Sequence, residues 1–356
     1  MKKHLCFITL ILLFLPLTSL ARKKVGLVFG GGGAKGAAEI GVLKTIEKAG
    51  IPIDYIVGTS IGSIVGGLYA CGVSSEHMEQ LFRSQEWINL FAGRNMKHRF
   101  KLFTTEREKQ YVMGFELKLP QLVEKAHEIF KTKDKKRKRE NALDTFFSIY
   151  EQLSHPLKNL GGILSGDSIT ALLARETGQS KDIDFDKLPI PFRCVAADVH
   201  SMTEVIHSKG SLPLAIRSSM SFPFVFEPVE MDGKLLVDGG MVNNLPVDIA
   251  RKMGADIVIA IDLSQTGATT RKSGWVQLLQ DLKLGDMAGW LIERPDDQRY
   301  LNNLKEADLV IRPTLHEFDV TSFSATSINT MIQRGEEAGR EAAIGYARIL
   351  SDIYGF

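Results

Sequence analysis

Short, nearly all-apolar runs alternate along the chain with runs that are apolar on one helical face only. "KVGLVF" (24–29), "DYIVGTS" (54–60), "FRCVAADV" (192–199), "KLLVDGG" (234–240), "ADIVIAIDL" (255–263) and "ADLVIRPTL" (307–315) have the length and β-branched content of strands, and "TEVIH" (203–207) adds another. "AEIGVLKTIEKAG" (38–50) repeats its apolar residues at helical spacing and closes on Gly50, a usual residue at a helix end. "IGSIVGGLYACG" (61–72), "LPLAIRSSM" (212–220), "PVDIARKMG" (246–254) and a long terminal run from about 327 to 353 predict further helices. Buried strands alternating with helices predict an α/β fold, with a mostly parallel central sheet sandwiched by helices.

One stretch breaks this rhythm. From Trp87 to Leu160 the chain is polar and irregular, and it carries the charge run "KTKDKKRKRE" (131–140). A block of like charge is usually a hydrated face. Its functional reading is attraction to anionic lipid headgroups at a membrane surface. The stretch reads as an insertion within a single domain spanning 22–356.

The N-terminus has a different pattern again. "MKK" is followed by the apolar "LCFITLILLFLPL" (5–17) and the small-residue site Ser19-Leu20-Ala21, which together predict a signal peptide over 1–21. The apolar run is short for a transmembrane helix, and Cys6 lies inside it, not at a lipidation site. The expectation is an exported protein that is periplasmic, outer-membrane-associated or secreted. Two further cysteines, Cys71 and Cys194, make no disulfide framework. A net charge of +2 over 356 residues gives no basis for whole-surface nucleic-acid binding.

Candidate chemistry lies in three glycine motifs. "GGGAKG" (31–36) matches a dinucleotide fingerprint only formally, because the second strand ends in "GTSIG" and not in the carboxylate that would hold a ribose. A phosphate-binding loop would need Ser or Thr after its Gly-Lys, and Lys35 is followed by Gly36 and Ala37. "GTSIG" (58–62) is G-x-S-x-G between a strand and a helix, the setting in which a serine sits exposed on a sharp turn. Gly58 and Gly62 let strand and helix close around Ser60. "DGG" (238–240) delivers Asp238 at a strand end, with Gly239 and Gly240 leaving room for another element to close over it. His316 is the one late histidine in the order a serine–acid–histidine triad needs, but it lies in a polar loop with no glycine framing. "DIDFD" (182–186) lacks the glycine and late glutamate of a calcium loop, so no metal is expected.

In order, "GGGAKG", "GTSIG" and "DGG" resemble the patatin-like phospholipases, and the likeness extends through 214–264. It covers roughly 24–84 and 161–264. The resemblance implies an acyl hydrolase with a Ser-Asp dyad and no cofactor; with the signal-peptide pattern, a bacterial exported member is expected. Ser60 would be the nucleophile, Asp238 its base, and Gly31, Gly32 and Gly33 the oxyanion hole with Lys35 beside it. The implied substrates are phospholipids or lysophospholipids. A non-catalytic lipid-binding or export-linked module of the same fold and an esterase on soluble acyl esters remain as rivals, and oligomeric state is open.

Overall fold

The computed structural model describes residues 22–92, 111–112, 115–116, 164–201, 203–223, 225–264 and 297–355. β1 (Val25–Phe29) passes through a 3-10 turn, Gly33–Gly36, into α1 (Ala37–Ala49). β2 (Tyr55–Thr59) passes through Ser60 into α2 (Ile61–Ala70), followed by α3 (Ser75–Arg83) and α4 (Gln85–Ala92). Tyr111–Val112 (β3) and Phe115–Glu116 (β4) form a short antiparallel pair. After α5 (Asp167–Thr177) come β5 (Asp182–Asp184), β6 (Phe192–Asp198), β7 (Glu204–His207) and β8 (Lys209–Ser211). Then follow α6 (Leu212–Ser219), β9 (Val229–Met231), β10 (Lys234–Asp238), α7 (Val247–Lys252) and β11 (Ile257–Ile261). The described chain ends with α8 (Asp297–Glu306), β12 (Leu309–Ile311), α9 (Ala325–Glu341) and α10 (Ala343–Tyr354).

The main sheet runs β12-β11-β1-β2-β6-β10-β9, with β7 also on β6. From β12 to β6 every neighbouring pair is parallel, and β7, β9 and β10 enter antiparallel. β1 and β11 are buried along their whole length, as parallel strands covered by helices must be. α1 ends as expected, with Gly50 in the left-handed region (φ 71). α1 and α9 touch nearly backbone to backbone, since a side chain at Gly41 would meet the α9 backbone and one at Gly335 the Ala38 carbonyl.

The register around β6 brings the site together. Phe192 to Val195 pair with β2, Ala196 to Asp198 with β10, and Cys194 to Ala197 with β7. Because β7 overlaps both other partners, β2 and β10 share the opposite edge of β6. Their C-terminal ends therefore meet head to head: Thr59 lies opposite Val195, and Asp238 opposite Ala196.

Two expectations are corrected. The irregular stretch expected from 87 opens inside a core helix, α4. Trp87 is fully buried and stacked on Phe82 at a ring separation of 3.9 Å, and Phe91 stacks on Phe323 at 4.6 Å. The single long terminal helix is two, α9 and α10, broken at Ala342 (φ −77, ψ 3). The break lets α10 pack Gly345 against Leu309 of β12 after α9 has followed α1. The basic run 131–140 and residues 1–21 lie outside the described residues.

Candidate active site

Ser60 holds a left-handed backbone (φ 56, ψ −125), which only one other described non-glycine residue, Asp232, approaches. Such a conformation costs on the order of 1–3 kcal/mol and persists only where its surroundings enforce it. Here they do. A Cβ at Gly62 would lie 2.6 Å from the Phe29 carbonyl oxygen and 2.7 Å from that of Gly30, so α2 starts directly against the end of β1. The Ser60 N–H donates to Ser219 Oγ at 3.0 Å, and Ser219 Oγ donates to the Val195 carbonyl at 2.5 Å. The Ser60 carbonyl accepts from both the N–H and the Oγ of Ser63. With its backbone pinned on every side, Ser60 is left one mobile group, its hydroxyl.

That hydroxyl donates to Asp238 Oδ2 at 2.5 Å, while Oδ1 accepts the Gly240 N–H at 2.8 Å. Asp238 is only 4% exposed. Burial pushes its carboxyl up to about 6, against the opposing pull of the hydrogen bonds from Ser60 and Gly240. An ordinary aspartate is a weak base for a hydroxyl, and one raised to about 6 is better matched to taking a proton near neutral pH. Gly239 packs so closely on the Val195 carbonyl that no side chain fits there, and this holds the Asp238 turn against β6.

The glycine loop lies on Ser60, since a Cβ at Gly31 would sit 3.2 Å from Ser60 Cβ. Its backbone donors are unevenly committed. The N–H of Gly30 goes to Ile261, that of Gly31 to Asn244 at 3.1 Å, that of Ala34 to Val320 at 2.9 Å, and that of Lys35 to Gly32 at 3.3 Å. Gly31, expected in the oxyanion hole, therefore offers no backbone donor, and the N–H of Lys35, expected beside the hole, is committed as well. The N–H groups of Gly32 and Gly33 are claimed by no described residue, and they lie at the start of the 3-10 turn that leads into α1. Gly33 is left-handed (φ 59) and pressed against Val320, which a side chain would displace. Gly36 likewise makes room for Ile61. Next to the loop, in the first turn of α1, Glu39 is fully buried beside the Gly30 amide, and neither carboxyl oxygen has a partner among the described residues. Burial holds this carboxyl well above the usual carboxylate range.

His316 is exposed in a turn, and no described histidine bonds Ser60 or Asp238. Of the Asp182–Asp186 carboxylates, Asp184 caps a 3-10 turn and Asp186 pairs with Arg193. Cys71 and Cys194 are free thiols. Sequence reading missed Ser219, Asn243 and Asn244. Their only signal was the runs "RSSMS" and "NNLP" flanking the recognised motifs.

A sequence profile described as "Patatin-like phospholipase" matches residues 27–251. The mouse protein named patatin-like phospholipase domain-containing protein 6 is 29% identical over 347 residues, covering 91% of this chain and 21% of that protein. Neuropathy target esterase sws of Drosophila melanogaster is 28% identical over 325 residues, covering 86% of this chain and 19% of that one. The chain thus spans about a fifth of the length of these curated relatives. The crystal structure of VipD from Legionella pneumophila overlaps 91% of this chain and 67% of its own at TM-score 0.43 and 13% identity.

Proposed function

The chain belongs to the patatin-like phospholipase family, and from that premise we propose that it is a serine acyl hydrolase cleaving fatty-acyl esters of phospholipids or lysophospholipids. Ser60 Oγ attacks the ester carbonyl as its proton passes to Asp238 Oδ2. The tetrahedral oxyanion is met by the N–H groups of Gly32 and Gly33, with added positive potential from the adjoining helix start. Collapse breaks the ester C–O bond, and the departing alcohol takes the proton back from Asp238. A water molecule, losing its proton to Asp238, then attacks the acyl-Ser60 carbonyl; collapse breaks the bond to Ser60 Oγ, which takes that proton back from Asp238 as the fatty acid leaves.

The observation that carries this reading is the 2.5 Å bond from Ser60 to a buried carboxyl raised to about 6. A module that only bound lipid would need neither the strained serine nor the desolvated acid. The test is mass spectrometry of the products from a defined phosphatidylcholine and its lysophospholipid. Free fatty acid that appears with wild type and not with Ser60→Ala supports the assignment. Turnover of p-nitrophenyl butyrate with no release from either lipid would make the protein an esterase on soluble substrates.

Export and membrane contact belong to the same proposal. Residues 1–21 have the sequence pattern of a cleaved signal peptide, and a start at Arg22 in protein recovered from outside the cytoplasm would support it. The run 131–139 would add attraction to anionic lipid that weakens with salt. Sedimentation with phosphatidylglycerol vesicles at low and high salt tests it, with Lys135, Lys136, Arg137, Lys138 and Arg139 changed to Gln for comparison. Equal binding at low salt would leave the run a hydrated face.

A further inference from the structure

Ser60 and Asp238 stand on turns that follow two different strands, and one buried side chain ties these turns together. Thr59, the residue before the nucleophile, donates from Oγ1 to the Asn243 carbonyl at 2.9 Å. Thr59 is fully buried and Asn243 is 2% exposed. The Asn243 N–H closes back on the Gly239 carbonyl at 2.9 Å, inside the turn that begins at Asp238. From the Thr59 hydroxyl to the carboxylate-bearing turn there are thus only two hydrogen bonds.

The Asn243 side chain is itself held at both ends. Its Nδ2 donates to Asp248 Oδ1 of α7 at 2.9 Å, and its Oδ1 accepts from Asn303 Nδ2 of α8 at 3.0 Å. Arg299 bridges Asp248 and Glu204 of β7, 2.7 Å from each. An amide suits this place because one end must donate and the other accept. The anchor reaches α8, beyond the stretch 27–251 that the family profile covers.

Resting on the hydrolase reading, we propose that the Thr59 hydroxyl, acting through the Asn243 carbonyl, is the positioning link that sets the separation of Ser60 Oγ from Asp238. β6 fixes the two strand ends only to within the register of the sheet. The side chains must then meet across a gap where an error of about 1 Å can cost on the order of a hundredfold in rate. Among the described residues the Asn243 carbonyl accepts from the Thr59 hydroxyl alone, so losing that hydroxyl leaves a buried acceptor unpaired and removes the direct tie between the Asp238 turn and the residue before Ser60.

The test separates hydroxyl from packing. Thr59→Val keeps the shape and removes the donor, whereas Thr59→Ser keeps the donor and removes the methyl group. With p-nitrophenyl butyrate, Thr59→Val should lose about tenfold to a hundredfold in kcat with little change in KM. Thr59→Ser should restore kcat even where its melting temperature is the lower of the two. Wild-type kcat in Thr59→Val, or equal losses in both variants, overturns the proposal. A crystal structure of Thr59→Val reads the geometry without catalysis. Separation of Ser60 Oγ and Asp238 beyond hydrogen-bond reach supports the link, and an unchanged pair refutes it. If wild type is silent towards both ester and lipid, the hydrolase reading fails, and the same structure still decides the positioning claim.

Discussion

Asn244 grips Gly31 from both sides of its peptide, with the Asn244 carbonyl accepting the Gly31 N–H at 3.1 Å and Asn244 Nδ2 donating to the Gly31 carbonyl at 3.3 Å. The glycine loop is thereby tied to the turn that follows Asp238, so the loop over Ser60 and the carboxylate beside it form one unit. The same grip uses up the Gly31 donor, whereas the N–H groups of Gly32 and Gly33, the proposed oxyanion donors, are claimed by no described residue.

Gly32→Ala tests that division of labour. A Cβ there would lie 2.8 Å from Leu263 Cδ1 and 2.9 Å from its Cβ, so the loop must move. Loss of one oxyanion donor costs about a hundred- to a thousandfold in kcat. Steady-state kinetics should show kcat falling by that order with a smaller change in KM. A rise in KM alone would mean that the loop binds substrate and does not stabilise the transition state.

The second prediction concerns pH. Asp238 must be unprotonated to act as base, and burial places its carboxyl at about 6. The pH profile of kcat/KM should therefore fall on the acid side with an apparent pKa near that value. A flat profile down to pH 4 would remove Asp238 from the proton transfer. His316→Ala should leave the profile unchanged, because its side chain is exposed and bonds neither member of the pair.

The same shift predicts a stability cost. The folded value of Asp238 lies above its ordinary 3.8, so the folded state binds the extra proton between these limits. Its contribution to stability is fully present below pH 3.8 and is lost as pH rises through about 6. Asp238→Asn removes that dependence while still accepting from Gly240, and it should raise stability at pH 7–8 by up to about 3 kcal/mol. Denaturant melts of wild type and variant at pH 4 and pH 8 check this. His207, which burial lowers to about 4, has the opposite slope, losing stability as pH falls from 6.5, and it cancels in the comparison. A gain that fails to grow with pH contradicts the account.

Glu39 offers a parallel test away from the reacting atoms. Its carboxyl is raised by burial and has no partner among the described residues, so ionising it costs folding free energy as pH climbs above its ordinary 4.5. Glu39→Gln should be more stable than wild type at pH 8, with the difference shrinking towards pH 4. Differential scanning calorimetry at the two pH values would read it, and a constant difference would rule it out.

What the sequence revealed and what it hid follow from the range of the interactions involved. The turn around Ser60 is local: Gly58, Ser60 and Gly62 carry their own steric logic, and so do the strand end at Asp238 and the helix end at Gly50. Pairing of β2 and β10 along one edge of β6 depends on register across well over a hundred residues, which no local pattern encodes. Trp87 looked like the start of a polar stretch because Phe82, Phe91 and, through Phe91, the distant Phe323 make its surroundings apolar. Gly31 looked like an oxyanion donor because nothing near it in sequence announces Asn244. The turns that carry Ser60 and Asp238 are legible in the sequence, and the residues that hold them together are not.

The most direct test of the dyad is covalent labelling with a fluorophosphonate, which reports nucleophile and base together. The Ser60 oxygen should displace fluoride from phosphorus as its proton passes to Asp238, and mass spectrometry should find the adduct on the peptide containing Ser60. Ser60→Ala should take no label, and Asp238→Asn should label at least about a hundredfold more slowly, the usual scale of a lost general base. Label on another residue, or equal rates in wild type and Asp238→Asn, would contradict the account.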